Sequence, residues 1–361
     1  MNKNHYVAII AGGIGSRFWP KSRVGYPKQF LDILNTGKTL IQQTFERFER
    51  FVPRENIFVV TSVEYTKIVK EQLPQIPEEN IVAEPSRKNT APCIAYISFK
   101  VANKNPEATL IIAPADHLIL DGDTFEQTCQ TATNFVENND ALVTLGIKPT
   151  YPNTGYGYIQ YESESAVENN LFRVRTFTEK PNLELAKTFL LSGDFLWNAG
   201  IFIWRAETII GMFEKYQPEL HDIFASEKEK YNTPQEKEAI ERMYPLCSSI
   251  SIDYAVMEKA DNVYVIPSSF GWSDLGTWAS AYDNLEKDYL GNAIAGDKIM
   301  VIDSTQCMIS ASHDKLLVLQ GLNDFIVVDT NDVLLICRKD KEQEIKEYVA
   351  EVKRNIGDKY L

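Results

Sequence analysis

Ala11-Gly12-Gly13-Ile14-Gly15-Ser16-Arg17-Phe18-Trp19-Pro20, with Pro27-Lys28-Gln29-Phe30 close behind, places a glycine turn and two cations directly after an apolar run, residues 6–10, that reads as a short buried strand. Glycines in that position let backbone N–H groups approach an anion with no Cβ in the way. Arg17 and Lys28 can add charge-assisted hydrogen bonds, so the stretch reads as a phosphate cradle. Phe18 stands where a G-x-G-x-x-G dinucleotide fingerprint needs its third glycine, and no G-K-[ST] marks a Walker A loop. A third kind of nucleotide-binding loop is expected.

Outward from the cradle, residues 57–61, 81–84, 109–114 and 141–146 read as strands. Helix-period segments accompany them, clearest at residues 40–51, 91–102 and 125–138. This alternation predicts a Rossmann-like α/β domain with ligand residues at the carboxyl ends of the strands. Further strands are expected at residues 156–161, 173–179 and 201–204. Past residue 288 the character changes to short β-rich runs at 298–303, 306–310, 316–320, 325–329 and 333–337, separated by Gly, Asn and Asp turns. Their spacing predicts a small β-helix or β-roll, closed by an amphipathic helix over 341–356. The expected division is 1–288 and 289–361.

With 361 residues, 44% of them hydrophobic, the chain can bury a sizeable core. A formal charge of -13 argues against a nucleic-acid partner, which calls for a basic face. The 5 cysteines are dispersed without C-x-x-C spacing, and no signal-like or bilayer-length apolar run is read. Reduced thiols in a cytoplasmic protein without membrane contact are expected. His5, His117, His221 and His313 are scattered, with no hydrolase or zinc pattern around them.

Ala113-Pro114-Ala115-Asp116-His117 and Gly271-Trp272-Ser273-Asp274-Leu275-Gly276 each bring one carboxylate to a strand end. Two such groups suit Mg²⁺ when phosphate oxygens and water fill its other positions. Either aspartate could instead cap a helix, Asp274 the one starting near Thr277. In Glu84-Pro85-Ser86-Arg87-Lys88-Asn89-Thr90, the Glu84 carboxylate can accept from the N1–H and exocyclic amine of guanine. Arg87 and Lys88 are candidate phosphate cations, while Asn89 and Thr90 either orient base or ribose or simply start the next helix.

Taken together, these motifs resemble the sugar-1-phosphate nucleotidyltransferases, and within them the mannose-1-phosphate guanylyltransferases, whose opening pattern is similar to G-G-x-G-T-R-L-W-P-x-S-R followed by P-K-Q-F. Ser16 stands for Thr, Phe18 for Leu, Lys21 replaces an apolar residue, and Lys88 occupies an arginine position. The resemblance implies a nucleotide site at Gly12, Gly13, Gly15, Ser16, Arg17, Lys28, Glu84, Asn89, Thr90 and Gly155, and makes Asp116 and Asp274 the Mg²⁺ pair. It implies that Tyr156 and Gly157 touch the sugar, that Glu179 binds its hydroxyls and Lys180 its phosphate, and that Asn198 of Trp197-Asn198-Ala199-Gly200 meets a hydroxyl. Asp253 is expected only behind this pocket. The implied reaction joins GTP and mannose 1-phosphate into GDP-mannose and pyrophosphate, with Arg17, Lys28 and Lys180 as the catalytic cations. The strand edges that the β-rich tail offers predict, separately, that it helps form a homodimer. A relative activating another sugar phosphate, or a catalytically silent nucleotide-sugar sensor, would share much of this pattern.

Overall fold

The computed structural model describes residues 1–168, 170–311 and 315–361, so His313 lies outside the described residues. The chain packs as two compact units that interleave in sequence. One comprises residues 1–12, 45–115 and 119–272; the other comprises 13–44, 116–118 and 273–361. Chain order alone places a single division at 288. The packed units depart from that scheme because the glycine turn, the Lys28 segment and Asp116 group with the C-terminal part of the chain.

Among the described residues, the first unit is built on a nine-stranded sheet. Its order is Ile81–Glu84, Ile57–Ser62, His5–Ile10, Thr109–Pro114, Phe195–Arg205, Leu142–Ile147, Val263–Ser268, Leu171–Thr178 and Tyr158–Glu168. The first four run parallel, with Val7 beside both Ile57 and Ile111. Their residues are nearly all buried, as continuous apolar strands covered on both faces must be. Phe195–Arg205 then enters antiparallel between Thr109–Pro114 and Leu142–Ile147. It is far longer than the expected 201–204, because Trp197 and Asn198 continue its pairing opposite Ile147 and Gly146. Helix Thr90–Lys104 is buried from Ala91 to Val101, and an element apolar on all sides belongs in the middle of a core. It packs there with Phe213, Phe224 and Tyr244.

The second unit carries parallel coils. Ala293 pairs beside Met308, which pairs beside Ile326, and Ile299–Ile302 lies along Leu317–Gln320 in the same sense. This is the β-helix expected from the short, evenly spaced strands. Its core joins Phe18 and Trp19 from just past the glycine turn to Trp278, Ile326, Val328 and the buried Ile345 of helix Ile345–Asn355. Among the described residues no helix is long and apolar enough to cross a membrane.

Candidate active site

In the second unit the glycine turn ends in a short helical turn, Ser16–Phe18, that anchors Phe18 in the core and leaves Arg17 beside a cavity of about 260 Å³. Gly15 enters this turn at φ 66, and a Cβ there would stand 2.5 Å from the Lys28 Cβ, so both the backbone and the close approach require glycine. Arg17, Lys28, Asp116, His117, Asp274 and Lys346 all contribute to the lining. The Arg17 Nε is buried without a hydrogen-bond partner among the described residues. A buried donor left in that state is costly unless a ligand meets it.

Lys28, read as a phosphate cation, already has partners within the protein. Its ammonium, 4% exposed as a residue, donates to Asp116 Oδ2 at 2.9 Å, to the Asp274 carbonyl at 2.9 Å and to the Leu275 carbonyl at 2.8 Å. An ammonium has three donors, and all three are committed. Lys28 therefore ties together the two loops that carry the carboxylates. Burial alone would raise the Asp116 carboxyl, but Lys28, His117 and the Lys28 hydrogen bond outweigh it and hold the group below its usual range. Asp116 is thus kept as an anion.

Neither aspartate caps a helix. Asp121 supplies the N-cap after Asp116, and the helix Trp278–Asn284 is capped by Thr277, whose side chain forms a reciprocal capping box with Ser280. Asp274 Oδ1 accepts from the Gly276 amide at 3.0 Å, and a Cβ at Gly276 would come within 2.5 Å of Asp274 Oδ2. Glycine leaves that oxygen its space. Among the described residues no group of three or more His, Cys, Asp or Glu side chains could enclose a metal. Two all-oxygen side chains beside a phosphate-sized cavity do fit Mg²⁺, which keeps several waters and takes phosphate oxygens rather than a full protein cage. Lys21, also in this unit, is held below its usual range by burial, against the attraction of Asp32.

The first unit holds the residues read for base and sugar. Glu84 ends strand Ile81–Glu84 and is 7% exposed. Its Oε1 accepts from the Tyr244 hydroxyl, and its Oε2 would lie 3.5 Å from a Cβ placed on Gly12. Burial pushes its carboxyl up to about 7, against the Tyr244 hydrogen bond, which pulls it down. Tyr244 was invisible to sequence reasoning: it lies 160 residues away in no motif. Asn89 adopts φ 67 and caps helix Thr90–Lys104 by accepting from the Thr90 amide, while the Thr90 hydroxyl accepts from the Ile252 amide at 2.8 Å. Arg87 donates to the Tyr65 hydroxyl at 2.5 Å and Lys88 to the Pro245 carbonyl at 2.8 Å. Both cations brace the loop through these bonds.

The residues read for the sugar are brought together by strand pairing. Tyr158 lies opposite both Thr178 and Trp197, so Gly155-Tyr156-Gly157 and Glu179-Lys180, at the ends of their strands, gather beside Asn198 within strand Phe195–Arg205. The Asn198 amide donates to the Gly157 carbonyl at 2.8 Å, and the Lys180 amide to the Tyr156 carbonyl at 3.2 Å. Glu179 Oε2 is so close that a Cβ on Gly157 would stand 2.6 Å from it. Tyr156 packs between Trp197 and Trp272, with ring centroids 5.0 and 5.3 Å away. Lys180 is exposed, pairs with Glu179, and sits at φ 48 directly before Pro181, a strained conformation of the sort that clusters at functional sites. The Asn198 side chain accepts from the Thr144 hydroxyl at 3.1 Å and donates to Asp253 Oδ1 at 3.1 Å. Burial, and then the Glu179 carboxylate, push the Asp253 carboxyl up to about 6.

A larger cavity, about 580 Å³, opens beside Ile81 and Ala83 of the edge strand. Its deepest charges, Lys100 and Glu236, satisfy each other at 2.6 Å, and Tyr96 and the Asn232 amide also donate to Glu236.

Comparison with known proteins agrees with this geometry. The nucleotidyl transferase family model matches residues 6–289, and the MannoseP isomerase/GMP-like β-helix domain matches residues 297–352. The alginate biosynthesis protein AlgA of Pseudomonas aeruginosa is 37% identical over 95% of this chain and 71% of its own length. The mannose-1-phosphate guanylyltransferase of Salmonella montevideo is 38% identical over 96% of this chain and 73% of its own. A Thermus thermophilus crystal structure, named as a mannose-1-phosphate geranyltransferase, superposes with a TM-score of 0.86 at 29% identity, covering 97% of this chain and 99% of that one. The chain therefore belongs to the nucleotidyl transferase family, among the mannose-1-phosphate guanylyltransferases.

Proposed function

We propose that the chain transfers GMP from GTP to α-D-mannose 1-phosphate, giving GDP-mannose and pyrophosphate. The observation that carries this reading is the 260 Å³ cavity of the second unit, where the buried Arg17 Nε without a partner suits a polyphosphate and the Asp116 and Asp274 carboxylates suit the divalent cation that accompanies it. The base and sugar residues of the first unit, and the names of the relatives, support it.

In this reaction an oxygen of the sugar phosphate attacks the α-phosphorus in line, and the bond to the β-phosphate oxygen breaks with its electrons leaving on pyrophosphate. A phosphate monoester is already a competent nucleophile, so the protein's part is positioning and electrostatics rather than general-base catalysis. Arg17, in the glycine turn with Gly13, Gly15 and Ser16, meets the leaving phosphates. Lys180 meets the sugar phosphate. Lys28 acts by holding Asp116 ionised and the 274–275 backbone in place. Asp116 and Asp274 would hold a divalent cation, whose charge would offset that of the phosphates. Glu179 and Asn198 bind sugar hydroxyls, and Asp253 fixes the orientation of the Asn198 amide. Glu84 accepts the guanine donors, with one oxygen braced by Tyr244.

All five cysteines are free and buried, which fits a reducing compartment, so the cytoplasm is the proposed setting and a homodimer the proposed assembly. The test is to incubate the purified chain with Mg²⁺, mannose 1-phosphate and each nucleoside triphosphate in turn, and to follow pyrophosphate. Release with GTP in clear excess over ATP, UTP and dTTP is the expected result. Release with GTP only when another sugar phosphate replaces mannose 1-phosphate would overturn the substrate assignment.

A further inference from the structure

The phosphate cavity contains one cation that neither motif nor reaction accounts for. Lys346, in the first turn of helix Ile345–Asn355, lines the same 260 Å³ space as Arg17, Asp116 and Asp274. Resting on the nucleotidyl-transfer reading, we propose that Lys346 is a polyphosphate-binding residue: with Arg17 it holds the β- and γ-phosphates of the nucleotide and the pyrophosphate they become, so the C-terminal helix is part of the active site.

The placement of Lys346 is enforced by its neighbours. Ile345 is fully buried, and Tyr348, Val349 and Val352 pack on the same core as Phe18, Trp19 and Trp278. That core face fixes the rotation of the helix and leaves Lys346, one residue past Ile345, turned to the cavity. The approach is fastened from both sides. Glu342 Oε2 accepts from the Ala279 amide at 2.7 Å, and the Trp19 indole donates to the Tyr360 carbonyl at 2.7 Å. The Trp278 indole in turn donates to the Trp19 carbonyl at 3.2 Å, tying the start of helix Trp278–Asn284 to the segment that carries Arg17.

The electrostatics are those of a site awaiting an anion. Among the described residues neither Arg17 nor Lys346 is in an ion pair. The nearby guanidinium, and then partial burial, hold the Lys346 ammonium below its usual range. Arg17 and Lys346 repel across a space whose lining also includes the Asp116 and Asp274 carboxylates, and Glu342 attracts Arg17; a polyphosphate carrying a divalent cation satisfies both signs of charge. Pyrophosphate gains charge as it leaves, so such a pair favours the transition state over bound substrate.

The experiment uses the full chain with Lys346→Ala, Lys346→Arg and, as a control on the same helix, Lys353→Ala. Binding of inorganic pyrophosphate with Mg²⁺ is measured by calorimetry, and KM is measured separately for GTP, for mannose 1-phosphate and, in the reverse direction, for pyrophosphate. Lys346→Ala should weaken pyrophosphate binding and raise the GTP and pyrophosphate KM values by about tenfold, the loss of one charge-assisted hydrogen bond. The mannose 1-phosphate KM should stay in place, Lys346→Arg should recover most of the loss, and Lys353→Ala should behave as wild type. An active wild type whose pyrophosphate affinity is unmoved by Lys346→Ala overturns the proposal and leaves the function standing. A wild type that releases no pyrophosphate with any sugar phosphate, yet binds it in a Lys346-dependent way, overturns the function and leaves the cradle standing. A purely structural role would move both substrate KM values together and lower the melting temperature, and that outcome also overturns the proposal.

Discussion

Glu84 shows what a single residue gains from its surroundings. Its type and its position beside Pro85 made it a candidate guanine reader from sequence, but its depth and the Tyr244 hydroxyl on Oε1 come only from folding. Glu84→Gln turns an acceptor into a donor facing a donor, and the preference for GTP over ATP should fall by roughly 1 to 3 kcal/mol. A substitution that lowers activity with both nucleotides and leaves their ratio intact would make Glu84 a brace rather than a reader. Its carboxyl, raised to about 7, adds a pH dependence. Reading guanine needs the ionised form, so the GTP to ATP ratio of kcat/KM should climb as pH rises through about 7. The same shift destabilises the fold as pH rises from the ordinary carboxyl range toward 7, because only the unfolded chain ionises freely there. Tyr244→Phe removes the hydrogen bond that pulls the group down and should move the inflection upward; an inflection that stays put or moves down contradicts the assignment. Asn89 and Thr90 mark the limit of sequence at this scale. Both are polar and motif-bound, and only the structure assigns Asn89 to the helix cap and the Thr90 hydroxyl to the Ile252 amide.

Strands and helices were legible where burial is complete and the pattern long. His5–Ile10, Ile57–Ser62 and Thr109–Pro114 read as strands because continuous apolar runs leave no other solution. Only the end of Phe195–Arg205 is legible, since Asn198 and Gly200 interrupt its apolar run. The helices Ala206–Tyr216, Pro218–Ala225 and Glu236–Met243 were not read, because each is short and takes its stability from the core it joins. The element that most changes the chemistry is the Lys28 segment. Lys28→Ala leaves Asp116 without its counter-ion and two carbonyls without a donor, so it should lower unfolding free energy by roughly 3 kcal/mol as well as abolish turnover. Urea denaturation of the variant checks this, and a wild-type midpoint would return Lys28 to the role of a simple phosphate ligand. Lys180→Ala is the contrast. Its ammonium is exposed, so stability should hold while kcat/KM for mannose 1-phosphate drops by about 2 to 4 kcal/mol and GTP binding barely changes. Asp116→Asn and Asp274→Asn should each cut turnover by orders of magnitude with the fold retained. Near wild-type turnover with Mg²⁺ in either variant would dissolve the metal pair.

On the scale of the whole molecule, the sequence separated a catalytic part from a β-rich tail but could not show that the glycine turn and the Asp116 strand end pack in one unit with that tail. Packing partners distant in sequence leave no local signal, and Phe18, Trp19 and Ile345 became one core only in the fold. The β-helix also carries an unexplained surface. Met300 and Val318 pair side by side on its parallel strands and are 52% and 53% exposed, with Ile302, Leu316, Leu334 and Ile336 exposed as well. The outward apolar side chains of Met300, Ile302 and Val318 on one pair of strands favour a second copy of the chain as their cover. Replacing Met300 and Val318 together by Lys puts charge on that face without touching the core. Because both positions are more than half exposed, thermal stability of the separated chain should change little. Light scattering should show the wild type at twice the chain mass and the double variant at the mass of one chain. A variant that keeps the dimer mass would move the interface to another surface, and a wild type already at single-chain mass would leave the apolar face to a different partner.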